Sequence, residues 1–184
     1  MPMFLEKRLT IRFNRGETDA LRDIYGLYKD ELVSLAAVLL RDKTAAEDVV
    51  HDVFAGLVQR RSALRIAKNL RAYLFTSVTN RVRQHIRKSN KRGSSSLDVR
   101  DDARIDEGNP PECWLVLDEQ KRDLAQALAK LPYEQREAIM LRHFSDFRFK
   151  AIAATQKVSV NTVQGRYRYG MDKLRSLLNG ERVK

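Results

Sequence analysis

The stretch that decides the fold is Ser159–Leu174, SVNTVQGRYRYGMDKL. Val163, Tyr167, Gly170 or Met171, Leu174 and, one turn further, Leu178 recur every three or four residues, the period of a helix with one buried side. Ser159 stands where an N-cap is expected, because its short side chain can accept from a free backbone N–H of the first turn. The same spacing turns Asn161, Thr162, Gln164, Gly165, Arg166, Arg168 and Tyr169 outward. Gly165 costs the helix about 1 kcal/mol relative to alanine. Either it is a tolerated weak position, or its missing side chain lets the helix come close to a groove. Immediately upstream, RFKAIAATQ (148–156) reads as a short helix and KVS (157–159) as a tight turn. A short helix, a tight turn and a longer basic helix make a helix-turn-helix. Before it lie two more helices, YEQREAIMLRHF (133–144) and ECWLVLDEQKRDLAQALAKL (112–131), the latter stopped at Leu131-Pro132.

The first half of the chain is helical by the same criterion, and no alternating strand pattern competes with it. DALRDIYGLYKDELVSLAAVLLRD (19–42) lines up Leu21, Ile24, Leu27, Tyr28, Leu32, Leu35, Ala36 and Leu39. TAAEDVVHDVFAGLVQRR (44–61) offers Thr44 as its cap, acids near its start, where the helix dipole favours them, and a stripe of Val49, Val50, Val53, Phe54 and Leu57. NLRAYLFTSVTNRVRQHIRKS (69–89) spaces Leu70, Leu74, Val78, Val82 and Ile86 by four. The expected fold is all-α: two small helical domains, 1–92 and 112–184, joined by a linker at 93–111.

Charge separates these three parts. Residues 1–92 carry 19 Lys and Arg against 10 Asp and Glu, residues 93–119 carry 2 against 8, and residues 120–184 carry 14 against 6. Both modules are therefore strongly basic and the connection is acidic, within a chain of net charge +11. A polyanion is the partner this implies, nucleic acid before anionic membrane. Between Asp52 and Asp98 no acidic residue occurs, while Arg60, Arg61, Arg65, Lys68, Arg71, Arg81, Arg83, Arg87, Lys88, Lys91 and Arg92 do. Solvated faces usually mix signs, so a face this one-sided suits phosphate contact. Gly93–Pro111 is rich in Ser, Gly, Asp and Pro and holds too little apolar surface to offset its ordering entropy. Fully extended it reaches roughly 60 Å, enough to let two basic modules hold separated sites on one DNA.

Other classes find little support. No run of 18 apolar residues exists, so no segment inserts into a membrane. The first residues, MPMFLEKRLTIRF, lack the apolar core of a signal peptide, which implies a cytoplasmic location. The single cysteine, Cys113, precludes an internal disulfide and has no histidine near it in sequence. Asp48, His51 and Asp52 share one helix face, as carboxylate metal ligands do. A metal site in a bundle needs a second such helix, and neither His85 nor His143 supplies one. The cluster is then either a solvated acidic face or a docking patch for a basic partner, with no metal or cofactor.

In this order, the segments resemble the bacterial extracytoplasmic-function sigma factors, two-domain specificity subunits of RNA polymerase. AAEDVVHDVF (45–54) is similar to that family's polymerase-binding helix, and LRAYLFTSVTNRVRQHIRK (70–88) to its promoter-melting, −10-reading segment. LAKLPYEQREAIMLRHF (128–144) followed by IAATQKVSVNTVQGRYRYGMDKLR (152–175) resembles its −35-reading domain. The resemblance implies a non-enzymatic protein whose partners are core RNA polymerase, promoter DNA and, in some cases, an anti-sigma factor. It implies polymerase contacts at Asp48, His51 and Asp52. Contacts to the −10 element would come from Arg60, Arg61, Arg65, Lys68, Arg71, Tyr73, Asn80, Arg83, Arg87 and Lys88. Contacts to the −35 element would come from Asn161, Thr162, Gln164, Gly165, Arg166 and Arg168. The sequence departs from the family's usual pattern at Tyr73, often tryptophan, at Gln84, often an acid, at His51, often glutamine, and at Lys157, the glycine of the turn. A free-standing helix-turn-helix regulator is the alternative. It accounts for the second module but leaves the first unexplained.

Overall fold

The computed structural model describes residues 3–60, 65–66, 69–93, 119–144 and 147–179. These form eight helices: α1 (Met3–Asn14), α2 (Thr18–Leu40), α3 (Lys43–Gln59), α4 (Leu70–Gly93), α5 (Glu119–Ala129), α6 (Tyr133–Phe144), α7 (Phe149–Gln156) and α8 (Val160–Leu178). The acidic connection, Cys113, Arg61 and Lys68 lie outside the described residues.

The first module is built around α2. Ile24, Tyr28, Leu32, Leu35 and Leu39 are all buried at helical spacing, and each fully buried aliphatic side chain contributes about 1.5–3 kcal/mol. Against them pack Val49, Val50, Phe54 and Leu57 of α3 and Leu70, Leu74, Val78 and Val82 of α4, on the faces that the periodicity assigns. The start of α3 differs from expectation. Its cap is Asp42, whose side chain accepts from the Ala45 N–H at 3.0 Å, and not Thr44, which already lies within the helix. No acid occupies the first turn.

Helix α1 has no counterpart in the sequence reading. It buries Leu9 and Phe13 and braces the entry to α4. Asn14 donates through Nδ2 to the Ile66 carbonyl and accepts through Oδ1 from the Ile66 N–H, both at 3.0 Å. Glu6 accepts from the Arg71 N–H at 3.1 Å, and Asn69 accepts from the Ala72 N–H. Two otherwise unpaired N–H groups of the first turn of α4 are thereby satisfied.

In the second module α6 is central. Six consecutive residues, Arg136 to Leu141, are buried, because α2, α7 and α8 all pack against this helix. Its sequence partner α7 ends at Lys157, in the left-handed region at φ 57°, and Ser159 caps α8 by accepting from the Thr162 N–H at 3.0 Å. Lys157 thus takes the backbone conformation for which the turn normally uses glycine. Val163, Gly170 and Leu174 are buried as expected, but Leu178, the last residue of α8, is 47% exposed.

The two modules share one continuous core, with α2 lying against α5 and α6. At the seam Arg136, 4% exposed, donates to the carbonyls of Leu39 and Ala129, each at 3.2 Å. Those carbonyls end α2 and α5, so a buried cation sits at the negative ends of two helix dipoles. Burial lowers the Arg136 guanidinium to about 10, which leaves it charged at neutral pH.

Candidate nucleic-acid and polymerase interfaces

The outer face of the first module presents Asp48, His51 and Asp52 together on α3, all exposed. Asp52 does not stand alone. Arg81 of α4 donates to its Oδ2 through Nη2 and, at 3.2 Å, through Nε. That hydrogen bond from Arg81 is the main reason the Asp52 carboxyl lies below its usual range. Among the described residues no group of His, Cys, Asp and Glu is arranged to hold a metal.

The basic residues of the first module divide into two sets. Arg60, Arg65, Asn80, Arg87 and Lys88 are exposed, and Tyr73 is half-buried. Arg71 and Arg83 instead turn toward the second module. Arg71 pairs with Glu31 at 2.8 Å and donates to the Phe144 carbonyl, and its guanidinium lies 4.9 Å from the Phe75 ring centre. Arg83 donates through Nε to Glu137 Oε1 at 2.9 Å, through Nη2 to Glu137 Oε2 and through Nη1 to the Thr155 carbonyl. Burial on its own would lower the Arg83 guanidinium, yet its hydrogen bonds and charge attraction to Glu137 raise it overall.

Glu137 is 1% exposed and its acceptor capacity is well used. Oε1 also accepts from the Tyr133 hydroxyl at 2.9 Å, and Oε2 from Gln156 Nε2 at 2.8 Å. Burial first, and then the neighbouring carboxylate, raise the Tyr133 hydroxyl well above its ordinary range. Three side chains, Arg83 from α4, Tyr133 from α6 and Gln156 from α7, converge on this one carboxylate. The sequence reading did not find it. The only available signal was a charged pair, Arg136–Glu137, inside the apolar run of α6.

On α8, Asn161, Thr162, Gln164 and Arg168 are exposed, whereas Gly165 and Arg166 are half-covered. The two tyrosines separate. Tyr167 packs edge-on against Phe149 at 5.4 Å and shares a hydrogen bond with His143 at 3.1 Å. Tyr169 is 61% exposed, with the Arg168 guanidinium 5.0 Å from its ring centre. Among the described residues a Cβ placed on Gly165 would meet only Tyr169 Cε2, at 3.9 Å, so none of them demands a glycine there. Gly170 is the opposite case, because its Cβ would stand 2.9 Å from Ile139 Cδ1 and 3.1 Å from Gln135 Cβ.

A helix-turn-helix with a polar outer face, tied to a second helical module with its own exposed basic face, defines a two-part DNA-binding protein of transcription. Comparison with known families makes this specific. Residues 24–92 match the family model for sigma-70 region 2, and residues 121–174 match the one for sigma-70 region 4. The chain belongs to the sigma-70 family as an extracytoplasmic-function sigma factor. It is 26% identical to the ECF RNA polymerase sigma factor SigW of Bacillus subtilis, over 97% of this chain and 98% of that protein. It is 29% identical to the ECF sigma factor EcfG of Rhodopseudomonas palustris, over 88% and 86% of the two chains. Among solved structures it resembles the sigma factor RpoE of Bartonella quintana, crystallised in complex with the anti-sigma factor NepR. That match has a TM-score of 0.65 at 26% identity and covers 88% of this chain and 98% of that one. As a sigma factor the chain directs RNA polymerase to promoters. Its partners are the core polymerase and promoter DNA, and it carries out no chemistry of its own. Among the described residues no helix is long and apolar enough to cross a membrane.

Proposed function

We propose that this sigma factor works in the cytoplasm and divides promoter recognition between its modules, 1–92 and 112–184, on either side of the 93–111 connection. In this reading α8 lies in the major groove of the −35 element. Asn161, Thr162, Gln164, Gly165, Arg166 and Arg168 face the DNA. The −10 element is held by Arg60, Arg61, Arg65, Lys68, Tyr73, Asn80, Arg87 and Lys88, joined by Arg71 and Arg83 once the modules part. Asp48, His51 and Asp52 dock on the polymerase. An anti-sigma factor is a natural further partner, since the Bartonella RpoE was crystallised with one.

The observation that carries this reading is the outer face of α8. A capped, buried-on-one-side helix leaves Asn161, Thr162, Gln164 and Arg168 in solvent around a glycine that no contact among the described residues requires. Side chains of these types read base edges or grip phosphates. Run-off transcription with core polymerase on genomic fragments tests the assignment. Arg168→Ala should weaken promoter binding evenly across sequences and flatten its salt dependence, as loss of one phosphate contact does. Asp48→Lys with Asp52→Lys should weaken core binding while leaving the thermal midpoint nearly unchanged. Normal core affinity in that double variant would remove the docking assignment.

A further inference from the structure

We infer that Gln156 is the positioning residue for the −35 reader Arg166, and that the buried carboxylate of Glu137 fixes the orientation of Gln156. The inference rests on the reading of α8 as the −35 helix.

An ionised carboxylate only accepts hydrogen bonds. Glu137 is buried and takes a hydrogen bond from Gln156 at 2.8 Å, so the amide must present its NH2 end to it. The same Nε2 also donates to the Glu134 carbonyl at 3.0 Å. A reversed amide would set its oxygen against two acceptors. With the NH2 end committed, Gln156 Oε1 points at α8, where it accepts from Arg166 Nη1 at 2.7 Å. The choice of amide orientation, open in an isolated glutamine, is thus made by the carboxylate behind it.

Gln156 is the last residue of α7 and Arg166 lies in the second turn of α8. The bond therefore spans the turn of the helix-turn-helix and clamps the arginine at one nitrogen. An arginine has five N–H donors in a planar fork. Holding one at Nη1 leaves the Nε–Nη2 edge, the pair of parallel donors that matches O6 and N7 of guanine. Fixing the guanidinium before binding removes part of the ordering cost that a free side chain incurs on contact.

The test uses holoenzyme reconstituted from the full chain and core polymerase, on a promoter and on versions substituted singly across the −35 element. Arg166→Ala should lower discrimination at one base pair by about 5- to 150-fold, the range for a bidentate pair. Gln156→Ala should lower discrimination at that same base pair by roughly two- to twelve-fold, the range for one side chain left mobile. It should have no further effect once Arg166 is alanine. Gln156→Met keeps the bulk of the side chain without its polar ends and should behave like Gln156→Ala, and thermal midpoints show that each variant is folded. Unchanged discrimination in both Gln156 variants, with Arg166→Ala losing it, would overturn the positioning role alone. So would equal losses from Gln156→Ala with and without Arg166. No loss on Arg166→Ala would overturn the −35 reading of Arg166 and the inference with it.

Discussion

Arg81 and Arg83 lie two residues apart on α4 and therefore on opposite sides of it. Each pairs with one carboxylate, but the settings differ. Arg81 meets Asp52 on the outer face, where both side chains remain about half exposed. Arg83 meets Glu137 at the seam between modules, where the carboxylate is 1% exposed and shared with Tyr133 and Gln156. Water screens the first pair and competes for its partners. The second is largely shielded from water, so its members depend on one another and on the carbonyls of Thr155 and Glu134 beside them. Ion pairs that look alike in sequence thus do different work: one decorates a surface that other molecules can use, and the other holds two DNA-binding modules face to face.

The most severe way to break this contrast is Glu137→Ala. It removes the carboxylate that Arg83, Tyr133 and Gln156 share and leaves the mostly covered Arg83 cation with only the Thr155 carbonyl, and removing one partner of such a pair typically costs about 3–5 kcal/mol. Urea unfolding of the free chain should show a loss of that size. Replacing both Arg83 and Glu137 by leucine should recover most of it, because an apolar pair has no uncompensated charge to bury. A loss under about 1 kcal/mol for Glu137→Ala would place this pair in the same class as the outer one.

The same inner–outer contrast recurs on α8, where two glycines can be compared directly. Gly170→Ala forces a methyl group against Ile139 and Gln135. Overpacking of this kind costs about 1–3 kcal/mol, offset by about 1 kcal/mol of better helix propensity. The net loss should reach about 2 kcal/mol. Gly165→Ala meets only the ring edge of Tyr169 and should stabilise the free chain by about 1 kcal/mol. If Gly165 serves the approach to the groove, the stabilised variant should nevertheless bind the −35 element more weakly. Tighter binding by Gly165→Ala would mean that the glycine is merely a weak point of the helix.

These two glycines also mark how far the sequence could be read. The stripes on α2, α3, α4 and α8 were legible because burial on one side leaves a three-to-four-residue rhythm, and Ser159 was legible as a cap because its role is local. Helix α1 was not, since Leu5, Leu9 and Phe13 are separated by Lys7, Arg8 and Arg12 in only 12 residues. That pattern acquires an apolar partner only when α2 and α4 are placed beside it. Arg136 and Glu137 were opaque for a similar reason. Adjacent opposite charges on a helix read as a solvated face, and what makes them core residues lies far away in sequence, at Leu39 and Arg83. Sequence does not separate Arg71 and Arg83, which turn toward the second module, from the rest of the basic stretch, because composition gives a charge its sign but not its direction.

The smallest expected effect is on the outer pair, and it is informative for that reason. The hydrogen bond from Arg81 holds the Asp52 carboxyl below its usual value of 3.8. A carboxyl depressed in the folded chain binds its proton less readily there than in the unfolded chain, so the pair stabilises the fold above the ordinary value. That contribution disappears as pH falls through the depressed one. Because both side chains are about half exposed, solvent screening limits it to under about 1 kcal/mol. Asp52→Asn should therefore lower stability slightly at neutral pH, and the gap from the unsubstituted chain should close on acidification and shrink in high salt. Arg81→Gln should cost as little, yet it uncovers Asp52 and leaves Asp48, His51 and Asp52 as a more strongly acidic face. If that face docks on a basic surface of the polymerase, core binding by Arg81→Gln should hold or strengthen while Asp52→Asn weakens it. Two variants nearly equal in stability would then move binding in opposite directions. Equal weakening by both would instead identify the Asp52–Arg81 pair, rather than the acid alone, as what the polymerase meets.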